Sequence, residues 1–260
     1  MFWYDGGLID SDRLQLNIGD PGLLYGATVF TTMRIYEQSL DYPLTSWQAH
    51  CDRLNSTLKS FNWHQPSWQN LRRGAELLLQ HFPVLRMAIF PDGREWITGR
   101  SLPRELKQSQ IRGITAWVAR EPIYRRNLAQ HKTGNYLSAY LARQRALSLQ
   151  TEEAILIDDR DNWLETSTGN LWGWQKGRWY TPMLELNILP GIARSLWLNW
   201  FQTRQIEVVE NIWTPQFIAE LESVSYSNCV VEMIPIARVI CGKNRTNYAV
   251  KQLDTWLSNC

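Results

Sequence analysis

Cysteine is scarce and never paired in sequence. The 260-residue chain carries Cys51, Cys229, Cys241 and Cys260, far apart and without C-x-x-C spacing. That excludes a zinc ribbon or a dithiol motif and predicts free thiols in a reducing compartment. The four histidines are equally dispersed, so no metal centre is expected. No apolar run approaches the roughly 18 residues of a membrane helix. The opening MFWYDGGLIDSD lacks the basic stretch, apolar core and cleavage site of a secretory signal. A cytoplasmic protein without a membrane partner is expected. Formal net charge is only +2, with no basic stripe for nucleic acid. Lysine is the remaining scarcity, 6 residues against 21 arginines. Arginine is the better partner for carboxylate and phosphate, because its planar fork binds them bidentately. The 14 tryptophans run from Trp3 to Trp256 and read as packing residues.

Strand-like and helix-like segments alternate along the chain. TVFTTMRIY, from Thr28 to Tyr36, clusters β-branched and aromatic residues as strands do. Trp47 to Phe61 has helical spacing, with Thr45 or Ser46 able to cap it, and Leu71 to His81 is a second helix. Leu85 to Phe90 reads as a strand. Between Gly93 and Gly113 the sequence turns polar, which predicts a mobile loop and a linker. The second half offers strands at ITAWVA and EAILI around a helix from Asn135 to Leu149. Two strands follow, with a hairpin at Lys176 and Gly177, then a helix opened by Pro190 and Gly191. The strands IEVVE, SVSYSN and IPIARVI come next, and a helix from Asn247 to Leu257 closes the chain. The class is mixed α and β, with domains at 1–112 and 123–260 and a linker over 113–122.

Four motifs stand in order: His50-Cys-Asp-Arg53-Leu, His131-Lys132-Thr-Gly-Asn135-Tyr, Leu164-Glu165-Thr-Ser-Thr-Gly-Asn170-Leu and Leu189-Pro-Gly-Ile192-Ala-Arg194. Singly, each is an ordinary lysine, strand-end glutamate, helix arginine or helix entry. Jointly, from about Asp20 to Pro235, they resemble the fold-type-IV pyridoxal-phosphate (PLP) enzymes, the class IV aminotransferases. The resemblance implies the α+β, two-domain D-amino acid aminotransferase-like fold, with a small N-terminal α/β domain, a larger C-terminal pseudo-barrel and PLP between them, and it implies a homodimer. Lys132 would form the Schiff base with PLP and act as base once released. Glu165 would face the pyridine nitrogen and keep it protonated. Arg53, the amides of Ile192 and Ala193, and the turn at Asn228 and Cys229 would hold the phosphate.

Asn228 and Cys229 stand where aminotransferases of the family carry Ser or Thr. With Phe30-Thr-Thr-Met-Arg34 they resemble the aminodeoxychorismate lyases, which implies elimination of pyruvate from 4-amino-4-deoxychorismate, a small carboxylate substrate, to give 4-aminobenzoate for folate synthesis. The alternative is an aminotransferase of branched-chain or D-amino acids. Thr31 and Thr32 are the candidate substrate hydroxyls, and alternation admits only one of them to the cavity. Arg34 or Arg94 would meet a carboxylate. The loop FPDGREWITGR departs from the R-G-x-G-x-R-G-Y of many bacterial lyases.

Overall fold

A computed structural model describes residues 1–251 and divides into two compact units, Met1–Pro103 with His131–Tyr136, and Arg104–Gln130 with the rest. In the first unit β1 (Phe2–Tyr4), β2 (Gly7–Ile9), α1 (Pro21–Tyr25), β3 (Val29–Arg34), α2 (Trp47–Ser60), α3 (Trp68–Leu79), β4 (Val84–Ile89) and β5 (Glu95–Arg100) follow in order. The strands form one antiparallel sheet in the order β2-β1-β5-β4-β3.

α2 and α3 cover one face of it. The buried residues of α2, His50, Cys51, Leu54, Thr57 and Leu58, recur at helical spacing. Those of α3 include Leu71, Ala75 and Leu78. They pack against Val29, Met33, Leu85, Met87, Ile89 and Ile97, the alternate residues of β3, β4 and β5. Gly74 lets α3 lie on β1, since a Cβ there would come 2.4 Å from the Trp3 ring.

Two expectations fail here. Ser46 precedes α2 with φ 54° and makes no side-chain cap bond; its hydroxyl donates backward to Pro43 O at 3.0 Å. The segment between Gly93 and Gly113 is structured, holding β5 and the helix α4 (Leu106–Arg112). Its polarity misleads because Glu95 is a buried acceptor, bound by Trp3 Nε1 at 3.0 Å and the Gly6 amide at 2.9 Å.

After α4 the second unit runs β6 (Ile114–Ala119), α5 (Leu137–Ser148), β7 (Glu153–Ile157), β8 (Trp163–Thr166), β9 (Asn170–Gln175), β10 (Arg178–Pro182) and α6 (Ile192–Thr203). β11 (Val208–Asn211), α7 (Pro215–Ala219), β12 (Ser223–Asn228), β13 (Glu232–Cys241) and β14 (Asn244–Asn247) complete it. Asn247 ends a strand, so no helix starts there, and the remainder of that expected helix, from residue 252, lies outside the described residues along with Cys260.

Nine strands form one sheet, ordered β11-β10-β9-β12-β13-β6-β7-β8, with β14 on β13. The additional pairing of β8 with β9 at Glu165 and Asn170 closes a barrel-like ring through β12, β13, β6 and β7, with β10, β11 and β14 attached outside it. Two crossovers are helical. α5 joins the parallel pair β6 and β7, and α6 joins β10 and β11. α5 presents Ala139, Ala142 and Ala146 inward, and these small side chains allow close approach to the sheet. The β9–β10 hairpin has positive φ at both Lys176 and Gly177, the geometry that matches strand twist. Among the described residues no helix is long and apolar enough to cross a membrane.

The β8–β9 turn is tight against β12. A Cβ on Gly169 would stand 2.2 Å from the Ser227 carbonyl oxygen. Gly169→Ala is expected to destabilise by about 1–3 kcal/mol through overpacking, whereas Gly19→Ala, with nothing within 4 Å, should leave denaturant unfolding unchanged.

Candidate active site

β3 separates two environments by alternation. Thr31, fully buried, points with Val29 and Met33 toward α2. Arg53 Nη2 on α2 donates to Thr31 Oγ1, which also lies 2.5 Å from His50 Nδ1. A guanidinium can only donate. Thr31 therefore accepts from Arg53 and gives its own proton to His50 Nδ1, which leaves the His50 proton on Nε2. His50 is held neutral: burial, then the positive charges of Arg53 and Lys132, push its pKa well below 6.5. Thr31 thus fixes Arg53.

Thr32 faces the other way with Phe30 and Arg34. Strand register brings Arg86 and Thr98 beside Thr32, Ala88 and Trp96 beside Phe30, and Val84 and Arg100 beside Arg34. Arg86 lies 4.2 Å from the Phe30 ring centre and 5.6 Å from that of Trp96. No carboxylate pairs with it among the described residues. Burial, then the like charge of Arg100, pulls its pKa down to about 10, so it stays cationic at neutral pH. The Lys132 ammonium stands over the same Phe30 ring at 4.8 Å and over Tyr136 at 5.3 Å.

Lys132 reaches that ring because residues 131 to 136 run along β3. Phe30 N donates to Lys132 O at 2.8 Å, Gly134 N to Thr28 O at 2.6 Å, and Thr133 bridges Val29. Gly134 is required by this approach, since a Cβ would meet Thr28 Oγ1 at 2.3 Å. Arg34 lies over Tyr36. Arg94 is engaged within the unit by Asp20 and Asp92, each at 2.7 Å, and by the Tyr4 hydroxyl. Its charge is already balanced.

In the second unit Glu165 is buried at the end of β8. Its Oε1 pairs with Arg126 Nη1, and its Oε2 accepts from Leu189 N at 3.2 Å. Asn170 Nδ2 donates to Leu189 O at 2.8 Å. Both carboxylate and amide thus grip the peptide that leads into α6. Gly191 precedes that helix, and a Cβ there would lie 2.0 Å from Asn170 Oδ1. Ile192 and Ala193 follow, buried, at an N-terminus with no side-chain cap. Asn228 braces its own turn: Oδ1 accepts from Val230 N at 2.9 Å and Val231 N at 3.1 Å, and Nδ2 donates to Thr168 O at 3.2 Å. Cys229 sits half-buried beside it.

Taken one by one, these groups fit PLP. Lys132 offers an amine for the aldehyde. Arg53 and the uncapped N-terminus of α6 suit a phosphate dianion, and Glu165 is a carboxylate for a protonated ring nitrogen. Sequence reasoning missed Arg86 and Arg126. The signal for Arg86 was a lone arginine inside the apolar run VLRMAI; for Arg126 it was the Arg-Arg pair ahead of Lys132.

A family model described as amino-transferase class IV matches residues 28–239. A Methanocaldococcus jannaschii protein assigned as a branched-chain-amino-acid aminotransferase is 27% identical over 255 residues, covering 91% of this chain and 87% of its own. An aminodeoxychorismate lyase of Vibrio harveyi is 22% identical over 273 residues, covering 97% and 96%. The crystal structure of the Escherichia coli branched-chain amino acid aminotransferase superposes with a TM-score of 0.79 at 21% identity, covering 97% and 90%.

Thr31→Val removes the acceptor that orients Arg53. It should weaken binding of a pyridine phosphate by about ten-fold, the worth of one hydrogen bond to a charged group, and leave pyridoxal, which lacks the phosphate, unchanged in the same titration. His50 carries a pH signature. Its unfolded form takes up a proton near pH 6.5 and its folded form only well below. Its contribution to stability is therefore complete above 6.5 and is lost as pH falls through that window. His50→Gln should flatten the rise of the denaturation midpoint between about pH 5 and 7.

Proposed function

Because the chain belongs to the class IV aminotransferase family, we propose that it is a PLP-dependent enzyme acting on an amino-bearing dicarboxylate, namely a 4-amino-4-deoxychorismate lyase that releases pyruvate and 4-aminobenzoate. One observation carries the choice of substrate. Arg34, Arg86 and Arg100 share the face of the first sheet over which the Lys132 ammonium stands. Two carboxylates match a row of cations; an aliphatic amino-acid side chain would need an apolar wall there. The relatives named above include both chemistries at similar identity, so identity does not choose between them. A 2-oxo dicarboxylate would satisfy the same arginines, and transamination is the second reading.

When bound, PLP supplies an aldehyde for the substrate amine and a ring that takes up the charge left by C–H cleavage. Lys132 would hold the cofactor through its side-chain amine, and that amine, when free, would take the proton from the amine-bearing carbon of the substrate. In the lyase reading the same amine would return a proton to the enolpyruvyl group as its carbon–oxygen bond breaks; in the aminotransferase reading it would place the proton on the carbon derived from the cofactor aldehyde. Glu165 would face the ring nitrogen and favour its protonated form, with Arg126 holding that carboxylate in place. Arg53, the amides of Ile192 and Ala193, and the Asn228-Cys229 turn receive the phosphate. Arg86 takes one substrate carboxylate, with Arg34 near it, and Thr32 is the hydroxyl on that face. Arg94, balanced by Asp20 and Asp92, is assigned to anchoring α1. The proposal includes a homodimer: Leu23, Leu24 and Tyr25, and separately Leu137, Tyr140 and Leu147, are exposed apolar side chains of the kind two copies bury.

Borohydride reduction of the PLP-loaded protein should fix the cofactor on Lys132, seen by peptide mass. Supplied with 4-amino-4-deoxychorismate, the protein should release equal amounts of 4-aminobenzoate and pyruvate. Sustained keto-acid formation from amino donors without aminobenzoate would reject the lyase. Arg86→Met should raise KM by about 10–100-fold, the worth of a charge-assisted hydrogen bond or two, and leave cofactor loading intact.

A further inference from the structure

Glu153, at the start of β7, is almost fully buried and belongs to none of the motifs above. Its carboxylate is surrounded by donors. Ser167 Oγ and Ala154 N donate to Oε1, the amide at 2.9 Å, and Thr168 Oγ1 donates to Oε2. Burying a carboxylate is costly unless such bonds satisfy it, and burial does push its pKa up against the lowering by these three donors. An apolar residue would avoid that cost, so the acceptor itself has a use.

The use lies in what Ser167 and Thr168 belong to. They form the apex of the β8–β9 turn, whose ends, Glu165 and Asn170, are paired across the strands. Thr166 N closes the turn on Gly169 O at 2.7 Å, and Ser167 N ties it to Ala154 O at 2.8 Å. Three groups assigned to the cofactor hang on this turn. Glu165 stands at one end. Asn170, at the other, grips Leu189 O ahead of the α6 N-terminus. Thr168 O receives the Asn228 side chain, which braces the third segment. A turn held at its apex by two hydroxyls fixes all three at once.

We propose that Glu153 is a positioning residue, whose buried carboxylate pins the Ser167-Thr168 apex and thereby sets the aim of Glu165 at the cofactor nitrogen and the place of the Asn228 turn. This rests on the PLP reading of the preceding section. Glu153 touches neither cofactor nor substrate.

The test uses Glu153→Gln, which keeps the shape but replaces one acceptor by a donor, and Ser167→Ala, a milder variant that removes one bond and spares the core. Hydrogen exchange of the Thr166–Asn170 amides is followed without PLP. The pH titration of the visible absorbance and the kcat and KM are followed with PLP bound. Expected are faster exchange confined to the turn, a titration midpoint moved by about half a pH unit or more, and kcat lowered by about ten-fold with KM little changed. Ser167→Ala should give smaller effects of the same sign. Unchanged exchange in both variants would overturn the proposal, as would faster exchange with wild-type midpoint and kcat. Lowered thermal stability alone, with a wild-type spectrum, marks a purely structural carboxylate and overturns it too. A wild-type protein that stays colourless with PLP refutes the cofactor reading instead, whatever the exchange shows.

Discussion

Along β3 every second side chain turns toward the helices, and an arginine has to be kept there. Arg53 springs from α2, whose inward face is otherwise a core of Leu54 and Leu58, and a guanidinium next to such a face is stable only if its donors are met. Thr31 meets one of them because it alternates inward, and His50, neutral, takes the hydroxyl proton that remains. Moving the strand by one residue would turn Phe30 and Thr32 to the helices and strip Arg53 of its acceptor. The same move would take from Lys132 the ring over which it stands. Register in β3 therefore governs a candidate phosphate ligand on one face and the amine on the other.

The second unit solves a similar problem with backbone. Donors at a helix N-terminus are exposed when nothing caps them, and Gly191 offers no side chain to cap α6. Asn170 explains the glycine, since its amide group fills the space a Cβ would take while holding Leu189. The hydrogen-bonded chain from Glu153 through Ser167, Thr168 and Asn170 to Leu189 also reaches Glu165. Backbone amides and a carboxylate of opposite preference are thus carried by one turn.

Periodic segments were legible in the sequence. The strands at Ile114–Ala119 and Glu153–Ile157 and the hairpin at Lys176 and Gly177 lie where apolar runs and turn chemistry put them. Segments whose polarity is absorbed inside were not. β5 hides a buried Glu95 at an inward position, and α4 buries only Leu106, so neither shows a clear period. Alternation showed that Thr31 and Thr32 must differ; it could not say which face carried α2, a fact of tertiary packing. Arg86 escaped for the same reason. A charged residue in an apolar strand reads as an outward-facing exception until the register sets it between Thr32 and Thr98 and against Phe30 and Trp96.

That register also bears on selectivity. Arg86 has aromatic rings for neighbours and another arginine within electrostatic range, so its charge is already partly stripped of water. An anion arriving there gains a charge-assisted pair without a full desolvation cost on the protein side. A ligand that places a methyl group at the same spot leaves the guanidinium buried and unmatched. Such mismatches separate ligands by far more than a lost apolar contact does, because a site built for hydrogen bonds penalises their absence. On this face a ligand carboxylate and a ligand methyl group would therefore be told apart at Arg86, with which no carboxylate pairs among the described residues.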